Sequence, residues 1–212
     1  MGISLIILLV KGLLVGLLAS VPLGPAGVLC IQRTLNRGRL VGFISGVGAA
    51  LADTFFSVVA VFSLSVVEEW VRGKESMLQL LVGLVVVVVG IHIMLTNPAK
   101  QLRSYGKQQG SLWGALASIF LLTVNPINLL PVLFLVSLFK VSVSGAWYAV
   151  VMVCGVLVGA LSWWFFISTI ITHYRKHFKL RQMWWINKIA GSIIFFLGAL
   201  AFVDGAVKLF VS

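Results

Sequence analysis

Charge is what this sequence has least of. Of its 212 residues only 10% are Asp, Glu, Lys or Arg, and only five are acidic. Soluble domains carry roughly a quarter charged residues, so the chain falls outside that class. Cysteine is scarce as well: Cys30 and Cys154 stand alone, with no CxxC pair. That excludes a disulfide framework and gives no local zinc or redox motif. Both thiols lie in apolar stretches, which predicts small buried packing residues. HExxH, GxSxG and the Walker loop are missing too, so nothing points to an enzyme, a resident metal or a cofactor.

What is present is apolar. Hydrophobic residues make up 60% of the chain and the mean hydropathy is +1.12. Runs of about 20 apolar residues, the length that crosses about 30 Å of hydrocarbon, recur along it. The pattern predicts an all-α integral membrane protein with six spans, near 3–31, 40–66, 77–96, 112–138, 145–171 and 186–211, in a single domain over 1–212. The first run lacks a basic stretch before it, so it reads as a retained helix and not a cleaved leader.

The net charge of +11 is explained by where the basic residues lie. Arg33, Arg37 and Arg39 follow span one, and Lys100, Arg103 and Lys107 follow span three. Arg175, Lys176, Lys179, Arg181 and Lys188 follow span five. The other two loops hold Arg72, Lys74 and Lys140, with Glu68, Glu69 and Glu75 beside the first. The positive-inside rule then puts the odd loops in the cytoplasm and both termini outside. The basic loops suit anionic lipid, and no nucleic-acid partner is needed. Trp70, Trp113, Trp147, Trp184 and Trp185 fall near span ends as an aromatic belt; Trp163 and Trp164 sit about two turns deeper. Glycine stripes at Gly42 and Gly46, Gly155 and Gly159, and Gly191, Gly198 and Gly205 predict close helix contacts.

Two spans are interrupted. Proline inside a helix removes a hydrogen bond and clashes with the previous turn, and lipid-exposed broken backbone is not tolerated. Span one contains Pro22-Leu23-Gly24-Pro25; span four contains Asn125-Pro126-Ile127-Asn128 and then Pro131. LLASVPLGPAGVLC (17–30) aligns with LLTVNPINLLPVLF (121–134), setting Pro22 against Pro126. The two halves, about 1–96 and 112–211, thus read as inverted three-helix repeats, each opening with a broken helix. Paired broken helices are the best sequence pointer to a transporter's binding site.

Ionisable residues within spans are functional candidates by default. Asp53, midway along span two, shares a helical face with Gly46, Ala49 and Ala50. It is either a carrier of a proton or cation, or a structural carboxylate satisfied by hydroxyls or a lysine. Asp204 stands four residues before Lys208, a sufficient local pair. Lys11 is depth-matched to Asp204, so Lys11 and Asp204 form a candidate structural or gating pair; Lys11 can also snorkel outward or reach Asp53. Asn125 and Asn128 flank Pro126, where their amides either restore the broken backbone or bind a zwitterion or cation. His92, near an inner end, reads as a satisfied or interfacial histidine.

Residues 20–56, SVPLGPAGVLCIQRTLNRGRLVGFISGVGAALADTFF, together with TVNPINLLP, resemble the two signatures of the LysE/RhtB amino-acid exporters. Two departures stand out: Leu23 splits the family's Pro-Gly-Pro turn, and Ile127 replaces a lysine that commonly follows the second Asn-Pro. Carried over by motif, the resemblance implies Pro22, Gly24, Pro25, Asn125 and Pro126, with Asn128 beside them, as substrate-binding residues and Asp53 as the coupling site. It implies a bacterial inner-membrane exporter of amino acids or similar small zwitterionic solutes and allows a homodimer; with no nucleotide-binding loop and with Asp53 inside a span, the expectation is a secondary carrier driven by protons or sodium. Two alternatives stand beside it. One is a divalent-cation exporter of the same superfamily, which calls for several convergent carboxylates. The other is a membrane thiol–disulfide electron carrier, which needs two neighbouring thiols.

Overall fold

A computed structural model describes residues 2–21, 25–71, 75–95, 111–139, 141, 145–174 and 180–211. Among these there are eight helices and no strand. They are α1 (Gly2–Ala19), α2 (Pro25–Arg37), α3 (Arg39–Val71), α4 (Glu75–Leu95), α5 (Leu112–Thr123), α6 (Pro126–Leu138), α7 (Ala146–His173) and α8 (Leu180–Val211). The first span is split into α1 and α2 and the fourth into α5 and α6, at the proline-bearing stretches. Pro22, Leu23, Gly24 and Pro98 lie outside the described residues, as do Lys100, Arg103, Lys107, Arg72, Lys74, Lys140, Arg175, Lys176 and Lys179. The side chain of His92 does too.

Three helical stretches are long and apolar enough to cross a membrane, Arg39–Ser63, Ala146–His173 and Gly191–Leu209; Ser4–Ala19 and Leu112–Thr123 are shorter apolar helices. Large apolar side chains such as Phe62, Leu121, Phe196 and Leu200 are more than 60% exposed. Apolar exposure of that extent is what a lipid-facing surface requires.

The basic stretch after span one is not a loop. Helix α2 continues through Arg37, and Gly38 alone makes the turn, with φ +93°. The Gly38 N–H donates to Thr34 O at 3.1 Å, and the Gly42 N–H donates to Gly38 O at 3.2 Å. Only glycine takes a left-handed conformation at little cost, so one residue ends α2 and lets α3 begin at once. Arg33 and Arg37 are therefore helical, where straight-chain basic residues fit well.

Helices pack in pairs through glycine. Helix α1 lies along α7, α5 along α3, α3 along α7, and α4 along α8. At the first contact Gly12 and Gly16 meet the backbone of Met152 and Val156, and Gly155 and Gly159 meet Leu9 and Leu13. Gly48 of α3 meets Leu116 of α5, and Gly46 meets the Trp164 side chain of α7. On the α4–α8 pair Gly83 faces Phe202, Gly90 faces Gly191 and Phe195, and Gly198 faces Val87. In lipid, where hydrophobic collapse between helices is absent, such close approach supplies the van der Waals contact that holds them.

The burial of Trp164 fits its depth below the aromatic belt, whereas one of the two cysteine expectations is corrected. Trp164 is buried at 2% exposure in a cluster with Leu29, Cys30, Ala49, Ala50, Ile119 and Ala160; the notch at Gly46 receives its ring, so it is a core residue. Cys154 is exposed, and only Cys30 is buried. The exposed side of α7 carries Cys154, whereas α2 is enclosed by α3, α5 and α7.

A side chain at Gly16 has no room against Val156. Gly16→Leu should cost at least about 1–3 kcal/mol through overpacking, read as a lower midpoint of thermal unfolding in detergent. Gly114→Ala is the control, because the nearest atom to its new Cβ is Ser111 Oγ at 3.6 Å; its midpoint should not fall.

Candidate functional site

At the first break α1 closes with the Ser20 N–H donating to Gly16 O at 3.1 Å and the Val21 N–H to Leu18 O at 3.4 Å. The chain re-enters helix at Pro25, where a missing N–H costs nothing because that position has no intrahelical acceptor. Ser20 is buried and its Oγ donates to Asp53 Oδ2 at 2.6 Å. Asp53, 6% exposed, projects from the alanine-rich stretch of α3 containing Ala49, Ala50 and Ala52, all buried. Its neighbouring hydroxyls are committed elsewhere: Thr54 Oγ1 donates to Ala50 O at 2.7 Å and Ser57 Oγ to Thr54 O at 2.7 Å. Ser20 is thus the described donor to the buried carboxylate, and it ties the break to the middle of α3.

The second break mirrors the first in kind. Helix α5 ends at Thr123, and Val124 turns out of helical geometry at φ −70°, ψ 68° while its N–H reaches Phe120 O at 2.8 Å. The Asn125 N–H donates to Thr123 O at 2.7 Å, and the Asn128 N–H to Asn125 O at 2.8 Å. The Asn128 side-chain Nδ2 also donates to Thr123 O, at 2.7 Å. Asn128 thus restores broken backbone with its amide nitrogen. The Thr123 hydroxyl is buried with no hydrogen-bond partner among the described residues. A buried hydroxyl left unsatisfied is costly and stands out as a free group at the break.

Helix register brings the two breaks to one level. Helices α3 and α5 run the same way: Arg33 joins Ser45 to Ala115 and Ser118, and further along Gly48 meets Leu116 O and Phe120 N. At about 1.5 Å per residue, Asp53 lies about 7 Å beyond Gly48, and Thr123 lies about 5 Å beyond Phe120 and about 10 Å beyond Leu116. A carboxylate, its serine donor and an unpartnered hydroxyl thus stand at matched depth beside two helix restarts, Pro25 and Pro126. Free N–H groups at such restarts favour anionic groups; ends of helices and broken backbone offer carbonyls to cations.

The remaining candidates separate from this group. Pro22 and Gly24 lie outside the described residues, and of Pro25 and Pro126 only the backbone is described. Asn125 is exposed. Asp204 pairs with Lys208 at 2.6 Å, with 51% and 55% of their side chains exposed, on α8, whose main partner is α4. Lys11 is half-buried on α1. Ser20, Thr123 and Arg33 were not singled out by sequence reasoning. The signal for the first two was a hydroxyl at the mouth of each proline break.

The family model of the LysE type translocators matches residues 17–205. No curated protein and no solved structure matches the chain significantly.

The two residues at the second break should respond in opposite ways. Thr123→Val removes an unsatisfied hydroxyl and should hold or raise thermal stability, by up to about 1 kcal/mol, while lowering solute translocation. Asn128→Ala frees a carbonyl bond and should lower stability by about 1 kcal/mol. Unfolding midpoints in detergent and uptake in vesicles check both.

Proposed function

We propose that this chain, which belongs to the LysE type translocator family, is a secondary exporter of amino acids or similar small zwitterionic solutes, driven by a proton or sodium gradient. One observation carries the reading: the buried Asp53 carboxylate is held by Ser20 at the very end of α1. Any movement of the first broken helix is therefore felt at an ionisable group within the bundle, the linkage an ion-coupled carrier needs.

In this account the substrate carboxylate meets the N–H groups at the start of α2, near Pro22, Gly24 and Pro25. Its ammonium group meets carbonyls at the second break, with Asn125, Pro126, Asn128 and the Thr123 hydroxyl around it. Asp53 takes the proton or sodium ion. Lys11 and Asp204 keep a structural or gating role away from the substrate.

Packing supports two inverted repeats, α1–α4 and α5–α8. The first helix of each half lies against the long helix of the other, α1 on α7 and α5 on α3, while α3 with α7 and α4 with α8 form the self-matched pairs. Rocking one half against the other would then expose the site to alternate sides. We place the protein in the bacterial inner membrane, with both termini outside and the Arg33–Arg39 end in the cytoplasm, bound by lipid and compatible with a homodimer. The rival chemistries draw less support. Among the described residues no three of His, Cys, Asp and Glu gather as a metal site, and Cys30 is buried whereas Cys154 is exposed.

Inside-out vesicles test the reading. With an acid-inside or sodium-loaded lumen, labelled amino acids should accumulate for wild type and fail to accumulate for Asp53→Asn, by at least about tenfold, the loss expected for about 1.4 kcal/mol or more of coupling. Equal gradient-driven uptake in both would remove Asp53 from the mechanism.

A further inference from the structure

Arg33 stands outside the site just described and does what a loop charge does not. Its guanidinium, half-buried, donates from Nη1 to Ala115 O at 2.8 Å and to Ser45 Oγ at 3.1 Å, and from Nη2 to Ser118 Oγ at 2.9 Å. It belongs to α2, Ser45 to α3, and Ala115 and Ser118 to α5. One side chain therefore joins the first half of the chain to the second. The two serine protons are already committed, Ser45 Oγ to Val41 O at 2.8 Å and Ser118 Oγ to Ala115 O at 3.2 Å. That leaves only oxygen lone pairs facing Arg33.

Every one of those acceptors is neutral. The chain's five acids are Asp53, Glu68, Glu69, Glu75 and Asp204. Along α3, Asp53 lies about 12 Å and Glu68 about 34 Å from Ser45, at about 1.5 Å per residue, both toward the other end; Glu75 opens α4 at that other end. A guanidinium presents a planar fork matched to a carboxylate, and such charge-assisted pairs are roughly twice as strong as bonds to neutral oxygens. Beneath Arg33, one turn back on α2, lies Cys30, 1% exposed in the cluster with Ala49, Ile119 and Trp164.

We propose that Arg33 is a latch closing the basic end of the bundle, and that a substrate carboxylate entering from that side releases it by replacing Ala115 O and the two serines on the guanidinium. The release half of this proposal rests on the export reading and its orientation; the latch half does not. The expected sequence is capture at Arg33, parting of α5 from α2 and α3, and passage inward toward Asp53.

Cys30 is a native reporter. In a Cys154→Ser background, a charged, membrane-impermeant maleimide is added to inside-out vesicles and the rate of Cys30 labelling is measured. Arg33→Gln should raise that rate about tenfold or more, since hydrogen bonds to a charged group are lost. Ser45→Ala with Ser118→Ala, which keeps the charge and leaves one acceptor, should raise it by less; it stands in if Arg33→Gln does not fold. In wild type, glycine, L-leucine and acetate at millimolar concentration should speed labelling several-fold. Glycinamide and leucinamide should not, and none should act on Arg33→Gln. Labelling at the wild-type rate in the variants overturns the latch. A wild type indifferent to all three carboxylates overturns its release. Labelling needs no net transport, so failure of amino-acid uptake in the vesicle assay remains a separate result that bears on the export reading alone.

Discussion

The structure turns on a constraint of the solvent. Inside hydrocarbon a backbone N–H or C=O without a partner is costly, so an interrupted helix survives only where protein closes around it. This chain interrupts two helices, and much of its architecture serves to enclose the ends. Thr123 O collects bonds from the Asn125 N–H and Asn128 Nδ2. Ser20 finds Asp53. Glycines at 12, 16, 155 and 159 draw α1 against α7, and Gly48 draws α5 against α3, so that each broken helix is shielded by a long unbroken one. The proposed function follows from the same constraint: what remains unsatisfied after enclosure, such as the Thr123 hydroxyl, is where the proposed substrate has something to gain.

The charges divide accordingly. A carboxylate buried within a bundle is tolerated when it is hydrogen-bonded, and Asp53 is so bonded by Ser20. Arg33 illustrates the converse, a half-buried cation whose hydrogen bonds among the described residues go to neutral oxygens. Between them runs one face of α3, with Ser45 toward one end, Asp53 at the centre, and alanines at 49, 50 and 52 that allow neighbouring helices close. Asp204 and Lys208 need no such arrangement, being paired and exposed on α8.

How far the sequence carried can be judged from particular residues. Hydropathy and proline placement located the apolar helices and both breaks, because proline acts locally and the apolar runs are long. Asp53 was legible as a candidate from its helical face. The fold class and the family were legible from the same residues, and the family match over 17–205 agrees. Partners were not legible. Nothing local says that Ser20, and not Thr54 or Ser57, serves Asp53; that choice depends on how α1 ends and where α3 passes. Arg33 read as a topological charge in a loop, since periodicity does not reveal that Gly38 makes a one-residue turn or that Ala115 O and Ser118 stand opposite. Trp164 was legible only as lying deeper than the belt, because the notch at Gly46 that receives its ring belongs to another helix. Cys154 read as buried because an apolar stretch of a membrane helix has a lipid side as well as a packed one.

The central claim is that the two breaks form one site. Amide hydrogen exchange, followed on the purified protein with and without a saturating amino acid, tests it most directly. The account predicts slowed exchange in the first turns of α2 and α6 together, beginning just after Pro25 and Pro126, with little change along α4 and α8. Protection at only one break, or at neither while transport proceeds, would contradict it.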